Sequence, residues 1–195
     1  LRVHSPQAAL VSATGSTRMG REVGPQVAAR FGRVLLELGG NNAVVLAPSA
    51  DLDLAVNSMV FAAAGTAGQR CTSLGTVIVH ESVHGEFLRR YTAATAAAAI
   101  GDPTRDVLYG PMLDERFATA YEKYLGWIDG GHRVLGATGR IGADNPRAGF
   151  VGDPAAGLFY HPVIVDGVRP GDAIFDNETF GPLVGGSARA DVALA

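Results

Sequence analysis

The chain has 195 residues, and its 16 basic and 19 acidic side chains leave a formal net charge of -3. This near-balance argues against a nucleic-acid-binding protein, which usually carries a basic surface. Hydrophobic residues make up 47% of the chain, which is ample for a buried core. We expect no transmembrane segment and no secretory signal, because the apolar runs are far shorter than a membrane-spanning helix. Cys71 is the single cysteine, which excludes an internal disulfide and favours a cytoplasmic protein.

Apolar residues along the chain change between strand-like and helical spacing, with glycine-rich turns between the segments. This order of elements predicts an α/β fold with a mainly parallel sheet. A predicted strand ends at Gly39-Gly40, which is the best internal boundary. We predict strands at residues 8–13, 34–38, 43–47, 76–79, 134–135, 159–165 and 183–187, helices at 18–31, 52–63, 82–100 and 114–129, and a long loop at 140–158.

Three residues in the first part of the chain are candidates for chemistry. Gly15 and Ser16 lie where a predicted strand meets a helix, and the N–H groups of such a helix start can bind an anion such as a pyrophosphate. A plain helix cap by Ser16 or Thr17 is the simpler explanation of the same residues. Glu37 lies within an apolar strand, and a carboxylate in apolar surroundings suits a general base. A strand-end glutamate that faces water is the alternative.

Cys71 follows a glycine-rich turn at the end of a predicted helix and is preceded by Arg70. A thiolate is a nucleophile, and a neighbouring guanidinium stabilises it. The alternative is a small buried apolar side chain, which describes most free cysteines.

Glu178 and Phe180 lie in a loop before the last predicted strand. A glutamate and an aromatic ring placed there can hold a ribose and flank a flat ring, but an ordinary turn with one buried phenylalanine fits equally well. No two of the five histidines have metal-ligand spacing on a predicted helix, because His80 and His84 are four apart but straddle a strand end and a helix start. We therefore expect no metal site.

Four short motifs occur in order along the chain, and together they resemble the signature blocks of the aldehyde dehydrogenase superfamily. The resemblance covers essentially the whole chain, and the 34-residue separation of Glu37 and Cys71 agrees with the family pattern. The residues around these two positions are most similar to the antiquitin branch, which comprises the α-aminoadipic semialdehyde (piperideine-6-carboxylate) dehydrogenases. The four motifs are Gly15-Ser16-Thr17-x-x-Gly20, Leu36-Glu37-Leu38-Gly39-Gly40, Gly68-Gln69-Arg70-Cys71 and Glu178-Thr179-Phe180-Gly181-Pro182.

The resemblance implies a catalytic role for two residues. Cys71 would add to the aldehyde carbon, its own backbone N–H would help to hold the oxyanion, and loss of hydride to NAD would leave a thioester. Glu37 would activate the water that hydrolyses this thioester. We expect Arg70 to pair with a distal carboxylate of the substrate, or alternatively to stabilise the thiolate, and Thr72 to contact the substrate as well.

The resemblance also implies NAD as the cofactor, with NADP as the alternative. Ser16 would contact the pyrophosphate, Glu178 would bind the nicotinamide ribose, and Phe180 would pack near the nicotinamide ring. The full set of expected cofactor contacts is Gly15, Ser16, Leu38, Gly39, Glu178 and Phe180.

Members of the family are longer than this chain, which leads us to expect a fragment. Residues 1–38 would be the C-terminal piece of a Rossmann-type NAD-binding domain, and residues 39–195 would be most of a parallel-sheet catalytic domain. The longer protein would form a dimer or tetramer, act on a small-molecule aldehyde, and have no nucleic-acid or membrane partner. Leu74-Gly75-Thr76 departs from the branch, which has an arginine pair after the cysteine, and Gly181 replaces a frequent alanine.

The sequence therefore predicts the NAD-dependent oxidation of an aldehyde, with α-aminoadipic semialdehyde as the favoured substrate and lysine catabolism as the context. Two alternatives stay open. One is another substrate, such as methylmalonate semialdehyde or a betaine-type aldehyde. The other is a truncated, non-catalytic chain with a binding or structural role.

Overall fold

The computed structural model describes residues 2–191. Their strands form two β-sheets. The first unit, Leu1–Gly40, contains a two-stranded sheet, and the second unit, Asn41–Ala195, contains a five-stranded sheet. The predicted α/β class with mainly parallel strands is confirmed. The assignment of residues 1–38 to a cofactor domain and 39–195 to a catalytic domain stays a prediction.

The seven strands and the four longer helices follow the predicted order, and the structure adds a short helix at Ala173–Asp176 that was not predicted. Short 3-10 turns lie at Arg2–His4, Gly65–Gly68 and Pro154–Ala156. The strands are β1 (Leu10–Gly15), β2 (Arg33–Leu38), β3 (Asn42–Leu46), β4 (Leu74–His80), β5 (Arg133–Leu135), β6 (Val163–Asp166) and β7 (Leu183–Arg189), and the helices are α1 (Thr17–Ala28), α2 (Leu52–Ala64), α3 (Glu81–Ala97), α4 (Glu115–Leu125) and α5 (Ala173–Asp176).

In the first unit, α1 connects the parallel strands β1 and β2. Gly20 lets the helix approach the sheet closely, because a Cβ atom at this position would lie 2.5 Å from Leu38 Cδ1. The helix ends earlier than its apolar spacing predicts. Phe31 lies beyond the helix with a φ of 59° and is 99% exposed, so it adds nothing to the buried helix face.

In the second unit, the strand order is β3-β4-β7-β6-β5, and only the edge strand β5 is antiparallel to its neighbour. Both faces of this sheet are covered. Val163 and Val165 of β6 pack in one core cluster with Tyr121 of α4, whereas Ile164 packs in a second cluster with residues of α2 and α3. Strand residues alternate between the faces of a sheet, so the continuous apolar run of β6 reflects burial on both sides.

Hydrogen-bonding capacity sets two element boundaries, and the second of them differs from the apolar pattern. Asp51 caps α2 by accepting hydrogen bonds from the N–H groups of Asp53 and Leu54. The strand predicted at 159–165 begins only at Val163, because Pro162 has no N–H group to donate to a ladder.

Three parallel strands, β3, β4 and β7, begin at the same edge of the second sheet. Cys71 precedes β4 by three residues, and Phe180 precedes β7 by three residues. Thr76 of β4 pairs with Gly185 of β7, so the turn before β4 and the loop before β7 are neighbours at this edge.

Gly68 brings the turn and the loop into direct contact. Its φ is 68°, and a Cβ atom on it would collide with the carbonyl group of Gly181. Thr66 and Ala67 also have positive φ values, of 56° and 54°. Such conformations are strained for residues other than glycine and persist only where the surrounding packing imposes them. The turn before Cys71 is therefore fixed by its contacts and not by local preference.

We predict opposite effects for two glycine-to-alanine changes. Gly68→Ala places a Cβ atom against Gly181 at a left-handed position and should lower the free energy of unfolding by about 2 kcal/mol or more. Gly85→Ala, in the middle of α3 where a Cβ atom meets no atom within 4 Å, should raise the free energy of unfolding by about 0.5–1 kcal/mol. Urea unfolding of both variants measures this, and equal effects would contradict the account of Gly68.

Candidate active site

The predicted cofactor contacts of the first unit lie together at the carboxyl ends of its two strands. Gly15 pairs with Leu38, so Ser16 and Gly39 follow neighbouring strand ends. Ser16 caps α1, with its Oγ accepting a hydrogen bond from the Met19 N–H at 3.2 Å. The cap interpretation is therefore confirmed. Binding of a pyrophosphate at this helix start stays a prediction.

Glu37 lies next to these residues on β2, opposite Thr14 of β1. Its side chain is exposed, whereas its neighbours Leu36 and Leu38 are partly buried. The expectation of apolar surroundings for this carboxylate is not met, and the alternation along the strand explains why. An exposed carboxylate has access to water, which a general base for hydrolysis requires.

Cys71 is exposed, so the alternative of a buried apolar side chain is wrong. The turn that carries it is closed by two hydrogen bonds. The Ser73 N–H donates to the Arg70 carbonyl at 2.9 Å, and the Arg70 N–H donates to Ser73 Oγ at 3.2 Å. These bonds leave the thiol on the outside of the turn.

Two side chains that the sequence analysis did not single out hold this turn from outside. Gln69 Oε1 accepts a hydrogen bond from the Leu113 N–H at 2.9 Å. Asn42 Nδ2 donates to the carbonyl groups of Cys71, at 2.7 Å, and Ser73, at 2.9 Å. Gln69 lies within one of the four motifs, and Asn42 follows the Gly39-Gly40 pair closely. A polar side chain in or beside a motif is therefore the sequence feature that could have identified both residues.

Arg70 and Thr72 flank Cys71 in the sequence and in the turn. The Arg70 guanidinium lies 5.0 Å from the ring centroid of Phe61, and its Nη2 is 3.4 Å from the Phe61 carbonyl oxygen. Its Nε is buried and has no hydrogen-bond partner among residues 2–191. Thr72 is exposed. The structure thus places the Arg70 side chain against α2, and the substrate contacts of both residues stay predictions.

The loop with Glu178 and Phe180 is supported by α4. Phe180 has a φ of 48°, and its ring lies 6.0 Å from that of Phe117. A Cβ atom on Gly181 would collide with the ring of Tyr121, so only glycine fits beneath this helix. Burial raises the pKa of the Tyr121 hydroxyl group. Glu178 and Phe180 are themselves partly buried, and their contacts with a cofactor stay predictions.

The structure therefore gathers the candidate residues into two groups, one in each unit. Within residues 2–191, no group of three or more histidine, cysteine, aspartate or glutamate side chains is arranged to hold a metal ion. No helix in the same range is both long enough and apolar enough to cross a membrane. The first group contains Gly15, Ser16, Glu37, Leu38 and Gly39, and the second contains Arg70, Cys71, Thr72, Glu178 and Phe180.

Curated proteins with similar sequences are much longer than this chain. The alpha-aminoadipic semialdehyde dehydrogenases of Bos taurus and Mus musculus are 41% identical over 181 residues and 39% identical over 178 residues. Each comparison covers 90% of this chain and 31% of the relative. The chain thus spans about a third of the length of these relatives.

A solved structure shows the same fold along nearly the whole chain. It is a variant of aldehyde dehydrogenase C from Pseudomonas syringae, in complex with NAD+ and octanal, and is 25% identical in sequence. The superposition gives a TM-score of 0.87 and covers 98% of this chain and 38% of that chain. The sequence model of the aldehyde dehydrogenase family matches residues 2–185. The chain therefore belongs to the aldehyde dehydrogenase family.

Proposed function

We propose that this chain supplies the catalytic thiol of an enzyme that oxidises an aldehyde to a carboxylic acid with NAD. The observation that carries the proposal is Cys71, an exposed thiol on a turn that neighbouring segments hold in place. A thiol on a flexible loop would not be pre-oriented, whereas a fixed turn presents the sulfur in one geometry.

The first step belongs to Cys71. Its Sγ, as the thiolate, attacks the aldehyde carbon, so that a C–S bond forms and the carbonyl π bond breaks. The negative charge that develops on oxygen needs a hydrogen-bond donor, and the backbone N–H of Cys71 lies in the same turn as the attacking sulfur. The adduct is a thiohemiacetal on Cys71.

The residues of the first unit fit a dinucleotide. Ligands of parallel α/β sheets bind beyond the carboxyl ends of the strands, where Gly15, Ser16, Leu38 and Gly39 lie. The first turn of α1 carries no acidic side chain, so no carboxylate there competes with a bound phosphate for the positive end of the helix dipole. NAD, when bound, supplies the acceptor for the hydride that the Cys71 adduct loses. Glu178 and Phe180 would hold its nicotinamide half.

The last step needs a base that can reach water. Glu37 takes a proton from a water molecule, and the hydroxide attacks the thioester carbon. The C–S bond then breaks, Cys71 leaves as a thiolate, and the carboxylic acid is released. The exposure of the Glu37 carboxylate is consistent with this role.

We infer that the substrate is α-aminoadipic semialdehyde. Two curated relatives carry that name at 41% and 39% identity, and Arg70 lies directly beside the thiol in sequence. A guanidinium can form two parallel hydrogen bonds with the distal carboxylate of such a substrate. The wider proposal, again from the family, is a cytoplasmic dimer or tetramer that acts in lysine catabolism.

The two catalytic residues should give different kinetic signatures. Cys71→Ser should remove aldehyde-dependent NADH formation. Glu37→Gln should form NADH in a first turnover and then slow by about 10²- to 10⁴-fold, because only thioester hydrolysis loses its base. Stopped-flow absorbance at the NADH band separates these cases. A Glu37→Gln variant without a first-turnover burst would contradict the assignment of Glu37 to hydrolysis.

Arg70 can be tested by substrate choice. Arg70→Gln should raise the KM for α-aminoadipic semialdehyde by about tenfold or more, because a charge-assisted pair with the carboxylate is lost. The KM for hexanal, which has the same six-carbon chain but neither the carboxylate nor the amino group, should change little. Steady-state kinetics with both aldehydes measures this. An equal loss of kcat/KM for both would instead favour stabilisation of the thiolate.

A further inference from the structure

We propose that Asn42 is the positioning residue for the Cys71 turn, and through it for the nucleophile. The word nucleophile rests on the proposed function of Cys71. The positioning of the turn rests only on the hydrogen bonds that Asn42 makes. Asn42 is the first residue of β3. It lies 29 positions before Cys71 in the sequence.

The Asn42 amide binds the thiol residue itself and the last residue of its turn. Its Nδ2 donates to the Cys71 carbonyl oxygen at 2.7 Å and to the Ser73 carbonyl oxygen at 2.9 Å. A side-chain amide nitrogen carries two hydrogens, so both donors of Asn42 are used on this turn. The orientation of these two peptide groups is thereby coupled to the start of a core strand.

The main-chain hydrogen bonds between β3 and β4 do not orient the Cys71 turn. Asn42 lies opposite Leu74, whereas Ala43 lies opposite Thr76, so the register shifts at Gly75. β4 begins only at Leu74, and the turn with Cys71 therefore precedes the ladder between β3 and β4. The side chain of Asn42 extends the pairing of the two strands past the point where main-chain bonds begin.

The contacts on the turn are divided between its two halves. Gly68 and Gln69 hold the half before the thiol, against Gly181 and the Leu113 N–H. Asn42 holds the half that contains and follows the thiol. Without Asn42, the half that contains and follows the thiol keeps only the hydrogen bonds between Ser73 and Arg70 and its covalent link to β4. Displacements of about 1 Å between reacting groups can cost about 10²-fold in rate.

Aspartate is the sharpest substitution at this position. Asn42→Asp keeps the shape of the side chain but removes both N–H donors and sets a carboxylate against two carbonyl oxygens. Asn145 offers a matched control, because its Nδ2 also donates to two backbone carbonyl oxygens, of Thr138 at 2.8 Å and Arg140 at 3.0 Å. Asn145→Asp loses the same kind of bonds in the loop that follows β5.

The first readout does not depend on enzyme activity. Cys71 is the only cysteine, so 3-bromo-1,1,1-trifluoroacetone labels this site alone in the full chain. We expect one ¹⁹F resonance in the wild-type and Asn145→Asp chains, at a chemical shift different from that in urea. In Asn42→Asp the resonance should broaden, split or move towards the urea-unfolded position. An Asn42→Asp spectrum identical to wild type would overturn the proposal.

The second readout separates a positioning role from simple destabilisation. Asn42→Asp should lower kcat for aldehyde oxidation by about 10- to 100-fold, because reaction geometry is lost. Its KM should change little, and Asn145→Asp should keep both constants. Equal losses in the two variants, or a loss confined to KM, would overturn the inference. If the enzyme that contains this chain oxidises aldehydes equally well with Cys71→Ser, the proposed function fails, and the ¹⁹F spectra alone decide the role of Asn42.

Discussion

The contact of the Gly68 backbone with the Gly181 carbonyl group is the constraint on which the candidate site of the second unit depends. It brings the turn that carries Cys71 against the loop that carries Glu178 and Phe180. The conformation is costly, because Thr66, Ala67 and Phe180 all have positive φ values, and each such residue costs on the order of 1–3 kcal/mol. Packing on both sides of the contact maintains it. Three of the four non-glycine residues with positive φ among residues 2–191 are thus in these two segments.

The candidate residues lie at the carboxyl ends of the strands in the first unit and at the amino ends of the strands in the second unit. In the first unit, β1 and β2 end at Gly15 and Leu38, where the usual rule for parallel α/β sheets expects a ligand. In the second unit, the thiol and the loop at 178–182 precede strands and lie at the amino edge. The main-chain hydrogen bonds of the sheet end before these segments, so side chains such as Asn42 and Gln69 fix the turn that carries Cys71.

The amino-acid sequence predicts the fold well where glycine-rich turns bound an apolar run. Apolar runs between glycine-rich turns mark β2, β3, β4 and β7 to within two residues at each end, although only β4 and β7 are largely buried, whereas β2 and β3 have several exposed residues. The misses have local causes. Phe31 keeps the helical spacing of α1 but lies beyond its end in a left-handed conformation. The strand expected from residue 159 is shortened because Pro162 cannot donate a ladder bond.

The candidate site is less predictable than the fold. The order of four motifs indicates Cys71 and Glu37, since each motif is local in sequence. The exposure of both side chains depends on packing, which no local pattern contains. The hydrogen bond from Asn42 to Cys71 joins residues that are 29 positions apart. Arg70 contacts Phe61 across a turn whose backbone conformation the residues in it do not favour. Long-range contacts of this kind become visible only once the chain is folded.

The central claim is that Cys71 carries the substrate as a thioester. The most direct measurement is the mass of the full chain after rapid acid quenching with NAD and α-aminoadipic semialdehyde, followed by peptide mapping. The account predicts one acyl group on the peptide that contains Cys71, released by hydroxylamine and retained longer when Glu37 is replaced by glutamine. Aldehyde oxidation with an unmodified Cys71, or with the acyl group on another residue, would contradict it.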